Sequence, residues 1–130
     1  MEITLRDTTF TGDILHEITI AVQHERTTVK ELIAARVETE VKAYNDKLPE
    51  YFKGLIQPTQ AEKTLNGYKL KDRKRKIDVE KQVLIAWEAF QQNGYFVLID
   101  EQQVENLEQE VLIRKSTEVN FVKLTPLVGG

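Results

Sequence analysis

Residues 28–44, TVKELIAARVETEVKAY, decide the reading of the fold, because they predict an amphipathic helix whose apolar stripe needs a sheet to cover. Thr28 and Glu31 stand at capping-box spacing, where hydroxyl and carboxylate each satisfy a backbone N–H that the first helical turn leaves unpaired. Val29, Leu32, Ile33, Val37 and Val41 then recur every three or four residues on one side. One helix cannot bury such a stripe by itself, so the flanking segments must supply its partner.

Upstream, residues 2–8 (EITLRDT) alternate apolar Ile3 and Leu5 with polar Thr4 and Arg6, the pattern of a half-buried strand. Gly12 and Asp13 carry turn chemistry, and residues 14–22 (ILHEITIAV) place Ile14, Ile18, Ile20 and Val22 on one expected face. A β-hairpin is predicted. Downstream, residues 79–92 form a second predicted helix: Asp78 can cap it, Val79, Val83, Ala86, Trp87 and Phe90 make its stripe, and Gly94 is expected as the left-handed residue closing it. The apolar run YFVLI (95–99) suits a buried strand, and a short apolar segment at 111–113, a polar turn and a last strand at 117–124 follow.

Between the helices the pattern weakens. Pro49, Gly54, Pro58 and Gly67 interrupt any long element, and Thr59 with Glu62 predicts only a short helix there. The run KLKDRKRK at 69–76 sets six cations around Asp72 in a chain whose net charge is −3. Its plain reading is a solvated loop. A docking patch for an acidic partner, through Lys74, Arg75 and Lys76, comes next, and phosphate binding comes last, since Tyr68 alone supplies an aromatic platform.

The 130 residues suit one domain with one core, and 41% hydrophobic with 30% charged residues is ordinary globular composition. With no cysteine, neither disulfides, a thiolate nucleophile nor a cysteine-held metal can be built. His16 and His24 lie outside any metal-ligand spacing and read as surface or sheet-edge residues; no metal site is expected. The acidic segment 100–110 has no partner that would define an acid/base pair, and no Gly-rich phosphate loop occurs, so no catalytic residue is assigned. The start lacks a signal peptide's pattern and no apolar run spans a membrane, giving the expectation of a cytoplasmic protein without membrane or nucleic-acid partners.

Hairpin, helix, second helix, strand and final strand is an order in which the first and last strands can lie side by side in one mixed sheet under the main helix. That order, with the terminal STEVNFVKLTPLVGG, resembles the ubiquitin-like β-grasp proteins. The resemblance covers residues 1–44 and 95–130. The tail is most similar to sulfur carriers typified by the small subunit of molybdopterin synthase, which end Pro-Pro-Val-x-Gly-Gly: Pro126 falls on the second proline, Leu127 on the valine, and Gly129 and Gly130 on the diglycine. Thr125 stands where the first proline would be and Val128 where a small residue is usual. Ubiquitin carries arginines at the positions of Pro126 and Val128, so a ubiquitin-type activating enzyme is not the expected partner.

The resemblance implies an α+β, β-grasp domain spanning 1–130, with a mixed sheet of four or five strands on a main helix at about 28–44. It further implies an insertion at 45–94 holding the second helix at about 79–92, and an exposed tail at 125–130. It implies activation at Gly130 by an E1-like adenylating enzyme that uses ATP and magnesium; the carrier itself holds no cofactor tightly and is a macromolecular substrate rather than an enzyme. Gly129 would be the slim neighbour, since two residues without Cβ let backbone enter a narrow site. Leu127, with Pro126 and Val128, would dock the tail in the partner's groove. With Gly130 last, no maturing protease is expected. The activated carboxyl would pass to a sulfur-accepting enzyme's chemistry or to target lysines; the alternative expectation is a β-grasp interaction module that is never conjugated.

Overall fold

The computed structural model describes residues 1–47 and 77–123. The short helix expected after Thr59 and the basic run 69–76 lie outside them. The elements are β1 (Glu2–Thr8), β2 (Ile14–Ala21), β3 (Arg26–Thr28), α1 (Val29–Lys47), α2 (Val79–Gln91), β4 (Tyr95–Ile99), β5 (Gln102–Gln103), β6 (Glu110–Leu112) and β7 (Val119–Lys123). They form an α+β arrangement around a five-stranded mixed sheet of order β2-β1-β7-β4-β5, with β3 and β6 paired separately.

The hairpin forms as its alternation predicts. Thr9 closes the turn by accepting from Gly12 N–H at 3.0 Å, and Gly12 adopts φ +95°, a conformation that favours glycine. The register Asp7↔His16 is followed by Thr8↔Ile14, so Leu15 is an extra residue, a β-bulge. One inserted residue reverses the side that later positions face. Ile14 therefore leaves the expected face and is 54% exposed, while Ile20 stays in the core with Val22 and with Ile18 packed against it.

α1 carries the predicted capping box: Glu31 N–H donates to Thr28 Oγ1 at 3.1 Å, and Thr28 N–H donates to Glu31 Oε1 at 3.2 Å. Val29, Leu32, Ile33, Val37 and Val41 are all buried. The helix runs three residues beyond the expected end because Tyr44 extends the stripe and Asn45 has a task. The Asn45 amide accepts from Ile77 N–H at 2.8 Å and donates to Ile77 C=O at 3.2 Å, imitating a strand partner and tying the two described stretches together.

α2 begins as expected, with Asp78 accepting from Glu80 N–H at 3.0 Å. Its end differs. Asn93, not Gly94, takes the left-handed conformation (φ 63°), and a Schellman pair forms from Gly94 N–H to Ala89 C=O and Asn93 N–H to Phe90 C=O. Gly94 is needed for space: a Cβ there would lie 3.1 Å from Ala89 O. Trp87 donates to Lys30 C=O at 3.0 Å while Asn45 meets Ile77, so the two helices run antiparallel. Trp87 is half-buried beneath the Lys30 ammonium, 4.5 Å from its ring.

β7 is the centre of the sheet. It pairs in parallel with β1, Leu5↔Val119 through Thr8↔Val122, and antiparallel with β4, Tyr95↔Lys123 through Ile99↔Val119. It starts two residues later than expected, because Thr117 closes a turn with Arg114. β4 alternates rather than being buried on both sides: Tyr95 and Val97 enter the core, whereas Phe96 and Leu98 face the side of the sheet that the described helices leave open. β3 had no sequence signal; three residues suffice because β6 and the cap of α1 hold it.

Removing the cap hydroxyl should therefore be felt at the helix start. Thr28→Ala is expected to lower stability by about 1 kcal/mol in urea unfolding, and a loss under about 0.2 kcal/mol would show that the observed bonds contribute little.

Candidate functional site at the end of β7

The sequence puts the expected functional residues in the tail, and Pro126, Leu127, Val128, Gly129 and Gly130 lie outside the described residues, as do Lys74, Arg75 and Lys76. What is described is the strand that precedes the tail in sequence, β7 as far as Lys123, and what holds it. Phe121 and Lys123 point to the helix side by strand alternation, Phe121 fully buried and Lys123 at the boundary with water.

Beneath this end lies a buried ionic group. Arg36 of α1 forks onto Asp7 of β1, Nη1 to Oδ1 at 2.5 Å and Nη2 to Oδ2 at 2.8 Å. The same guanidinium donates through Nε and Nη2 to Glu40 Oε2 at 3.1 and 3.0 Å. The side chains of Arg36 and Glu40 are 0% exposed and that of Asp7 is 1% exposed. The guanidinium also lies over the Phe121 ring, 4.5 Å from its centroid. Lys123 Nζ reaches Asp7 Oδ2 at 3.3 Å from the partly exposed side.

Burial pushes the Asp7 carboxyl up, but hydrogen bonds and charge from Arg36, joined by Lys123, outweigh it and hold the group below its ordinary 3.8. Burial pulls the Arg36 guanidinium down, and the bonds and charges of Asp7 and Glu40 raise it above its ordinary value. Burial also pushes the nearby Tyr95 phenol well up, which keeps it a neutral donor to Ala86 C=O at 2.7 Å and ties β4 to α2.

None of these four charged residues was singled out in the sequence, although two signals existed. Arg36 and Glu40 fall within the three-to-four spacing of the helix stripe, and Asp7 is the third inward position of β1 after Ile3 and Leu5. A charge on a buried face implies a partner, because an unpaired buried charge is prohibitively unfavourable.

The face of the sheet that the described helices do not cover adds a second feature. A groove of about 450 Å³ there is lined by Phe10, Ile14, Phe96, Leu98 and Val122 among others. Phe10 is 71% exposed and its ring centroid lies 6.4 Å from that of Phe96. Val122 immediately precedes Lys123, so the apolar patch and the base of the tail are contiguous. His16 lies on the edge strand β2 and His24 just beyond it, exposed. Among the described residues no group of three or more His, Asp or Glu is placed to hold a metal ion, and no helix is long and apolar enough to cross a membrane.

Compared with protein-family models, with curated proteins and with solved structures, the chain matches none.

Breaking the ionic group from one side leaves buried charge uncompensated. Arg36→Met is expected to destabilise by roughly 3–5 kcal/mol, measured by urea unfolding; a loss below about 1 kcal/mol would deny the group its structural weight. Because the folded Asp7 pKa is depressed, its contribution is complete above about 3.8 and is lost as pH falls from there toward the lower folded value. The stability difference between wild type and Asp7→Asn should accordingly be flat near neutrality and shrink in that acid window. A difference that grew on acidification would reverse the sign.

Proposed function

We propose that this chain is a ubiquitin-like carrier of β-grasp type, activated at the Gly130 carboxylate by an ATP-dependent E1-like enzyme. The observation that carries the reading is the strand order: the terminal strand β7 is inserted beside β1, parallel to it, and leads directly toward the tail that holds Gly129 and Gly130. The resemblance calls for first and last strands side by side in one mixed sheet with the main helix on one face, and the observed order is compatible with that.

In the reaction a Gly130 carboxylate oxygen attacks the α-phosphorus of ATP and pyrophosphate departs. A sulfur nucleophile then attacks the acyl carbon and AMP leaves, giving a thiocarboxylate or a thioester. The chain's own contribution is delivery. Residues 124–130 fully extended span roughly 25 Å at ~3.5 Å per residue, enough to enter a deep site while the sheet remains outside. Pro126 limits ladder pairing, and the two glycines keep the leading end slender. Leu127, with Pro126 and Val128, grips the enzyme's channel.

The patch around Phe10 and Phe96 is the face the enzyme covers while it holds the tail, since contiguous apolar surface marks contact sites. Sulfur delivery and attachment to target lysines both use the same activated Gly130, in the cytoplasm. The same patch also fits the second reading, a β-grasp interaction module that is never conjugated, which would retain its activity without Gly129 and Gly130.

ATP–pyrophosphate exchange with an E1-like enzyme tests the reading. Exchange should be supported by the intact chain and abolished by deleting Gly129 and Gly130, with Gly130→Ala severely impaired; equal rates for all three would overturn it. Phe10→Asp, a change at an exposed position, should raise the KM for the carrier about tenfold or more, equivalent to ~1.4 kcal/mol of lost binding, with kcat little changed.

A further inference from the structure

The groove on the face that the described helices leave open is built from two rows of side chains running across the strands. One row is Thr8, Val122 and Phe96; the other is Arg6, Asn120, Leu98 and Gln103. Because β7 lies between β1 and β4, its residues Val122 and Asn120 stand inside the rows, with β1 on one side and β4 on the other. Charge is divided about that line. Arg6 is on the β1 side and Glu101, in the turn from β4 to β5, is on the other; among the described residues they are the charged groups that line the groove.

The turn sets Glu101 in place. Asp100 and Glu101 take left-handed φ values of 50° and 70°, as a two-residue hairpin turn demands. Asp100 ties the turn to the residue before β7: its N–H donates to Glu118 C=O at 2.8 Å, and its Oδ1 accepts from Glu118 N–H at 2.9 Å. Among the described residues the side chains of Glu101 and Asn120 form no hydrogen bond or ion pair. Arg6 spends only Nε, on Glu17 at 3.1 Å, and its terminal nitrogens remain as donors.

From this arrangement we infer that the face is an interface for a second copy of this chain. A two-fold axis lying in the interface and running along β7 carries the β1 side of one copy onto the β4 side of the other. Arg6 then meets Glu101 of the second copy, and Glu101 meets Arg6. The Asn120 carboxamides, each both donor and acceptor, meet across the axis, as do the Val122 side chains. Phe10 and Ile14, exposed at the hairpin, come over Phe96 of the second copy. The surface is thus its own complement in charge, in hydrogen bonding and in apolar contact.

The contact is small. β4 and β7 are five residues each, about 17 Å long at ~3.4 Å per residue, and the strands from β1 through β5 span roughly 19 Å at ~4.8 Å apart. Such a face falls well short of the roughly 800 Å² per partner of a standard stable interface. The dimer is therefore reversible, with a Kd on the order of 100 µM. Under the carrier reading above it is a resting form that closes the face the activating enzyme covers; that consequence rests on the reading, whereas the dimer does not.

Sedimentation velocity of the full chain from about 10 µM to about 1 mM should show monomer passing into dimer. Phe10→Asp should abolish the dimer, and Leu84→Asp, exposed on α2 away from this face, should leave it unchanged. Arg6→Glu or Glu101→Arg alone should raise Kd about tenfold or more. The two together should restore it, because the charges exchange places across the axis. Urea midpoints should be alike in the single and double variants, so that recovered association is not recovered folding. A chain that stays monomeric throughout overturns the inference and assigns the face to another occupant. A dimer that survives Phe10→Asp, one lost in Leu84→Asp, or single charge reversals that the double variant does not rescue would overturn it too. ATP–pyrophosphate exchange keeps the two readings apart: a dimer that no E1-like enzyme activates refutes the carrier reading alone, and an activated chain that never dimerises refutes the dimer alone.

Discussion

The structure depends on the Arg36 guanidinium finding Asp7 and Glu40 inside the core. Asp7 belongs to the first strand, Arg36 and Glu40 to the main helix, and the ring beneath the guanidinium to the last strand. A hydrophobic stripe tolerates a helix sliding or turning by a few degrees, but a bidentate fork does not, because a misplaced carboxylate would leave charge unpaired in a dry interior. The group thus selects one register of helix over sheet, and with it the place where β7 inserts. Its net contribution to stability relative to an apolar core is often small, whereas removing one partner leaves an uncompensated buried charge.

Most of the architecture was legible in the sequence because it follows from local rules. Hairpin alternation, the Thr28–Glu31 capping box, both helices and the terminal strand appear within two or three residues of their expected bounds. The departures have particular causes. The bulge at Asp7 and Thr8 turned Ile14 outward, and no residue type announces a bulge of this kind. Asn93 displaced Gly94 from the left-handed position because the glycine was needed one residue later for clearance against Ala89. β3 is held by the cap of α1 and by its partner β6, the latter a long-range pairing that a three-residue segment cannot advertise.

The candidate site was legible in a different proportion. The tail is conspicuous in sequence, where Gly129 and Gly130 follow a strand and a proline, yet its residues lie outside those the structure describes. The base of the tail is the reverse: Asp7, Arg36, Glu40 and Lys123 meet only in three dimensions, from positions up to 116 apart in number, Asp7 and Lys123 being 123 − 7. Periodicity read through apolar residues alone passes over charges on the same face. Counting every residue of the stripe, polar ones included, would have exposed Arg36 and Glu40 as buried charges in need of a partner.

A sheet whose central strand is held from below lies beside an apolar patch, and the sequence that follows that strand ends in Gly129 and Gly130. The central claim is that Gly130 is chemically activated in the cell. Intact-mass and peptide mass spectrometry of the protein purified from its native cells tests this most directly. The account predicts either a terminal carboxylate with one oxygen exchanged for sulfur or a Gly-Gly remnant on lysines of other proteins, and predicts that both vanish in a Gly130→Ala strain. An unmodified Gly130 in every preparation, with no lysine remnant and no difference from the Gly130→Ala strain, would contradict it.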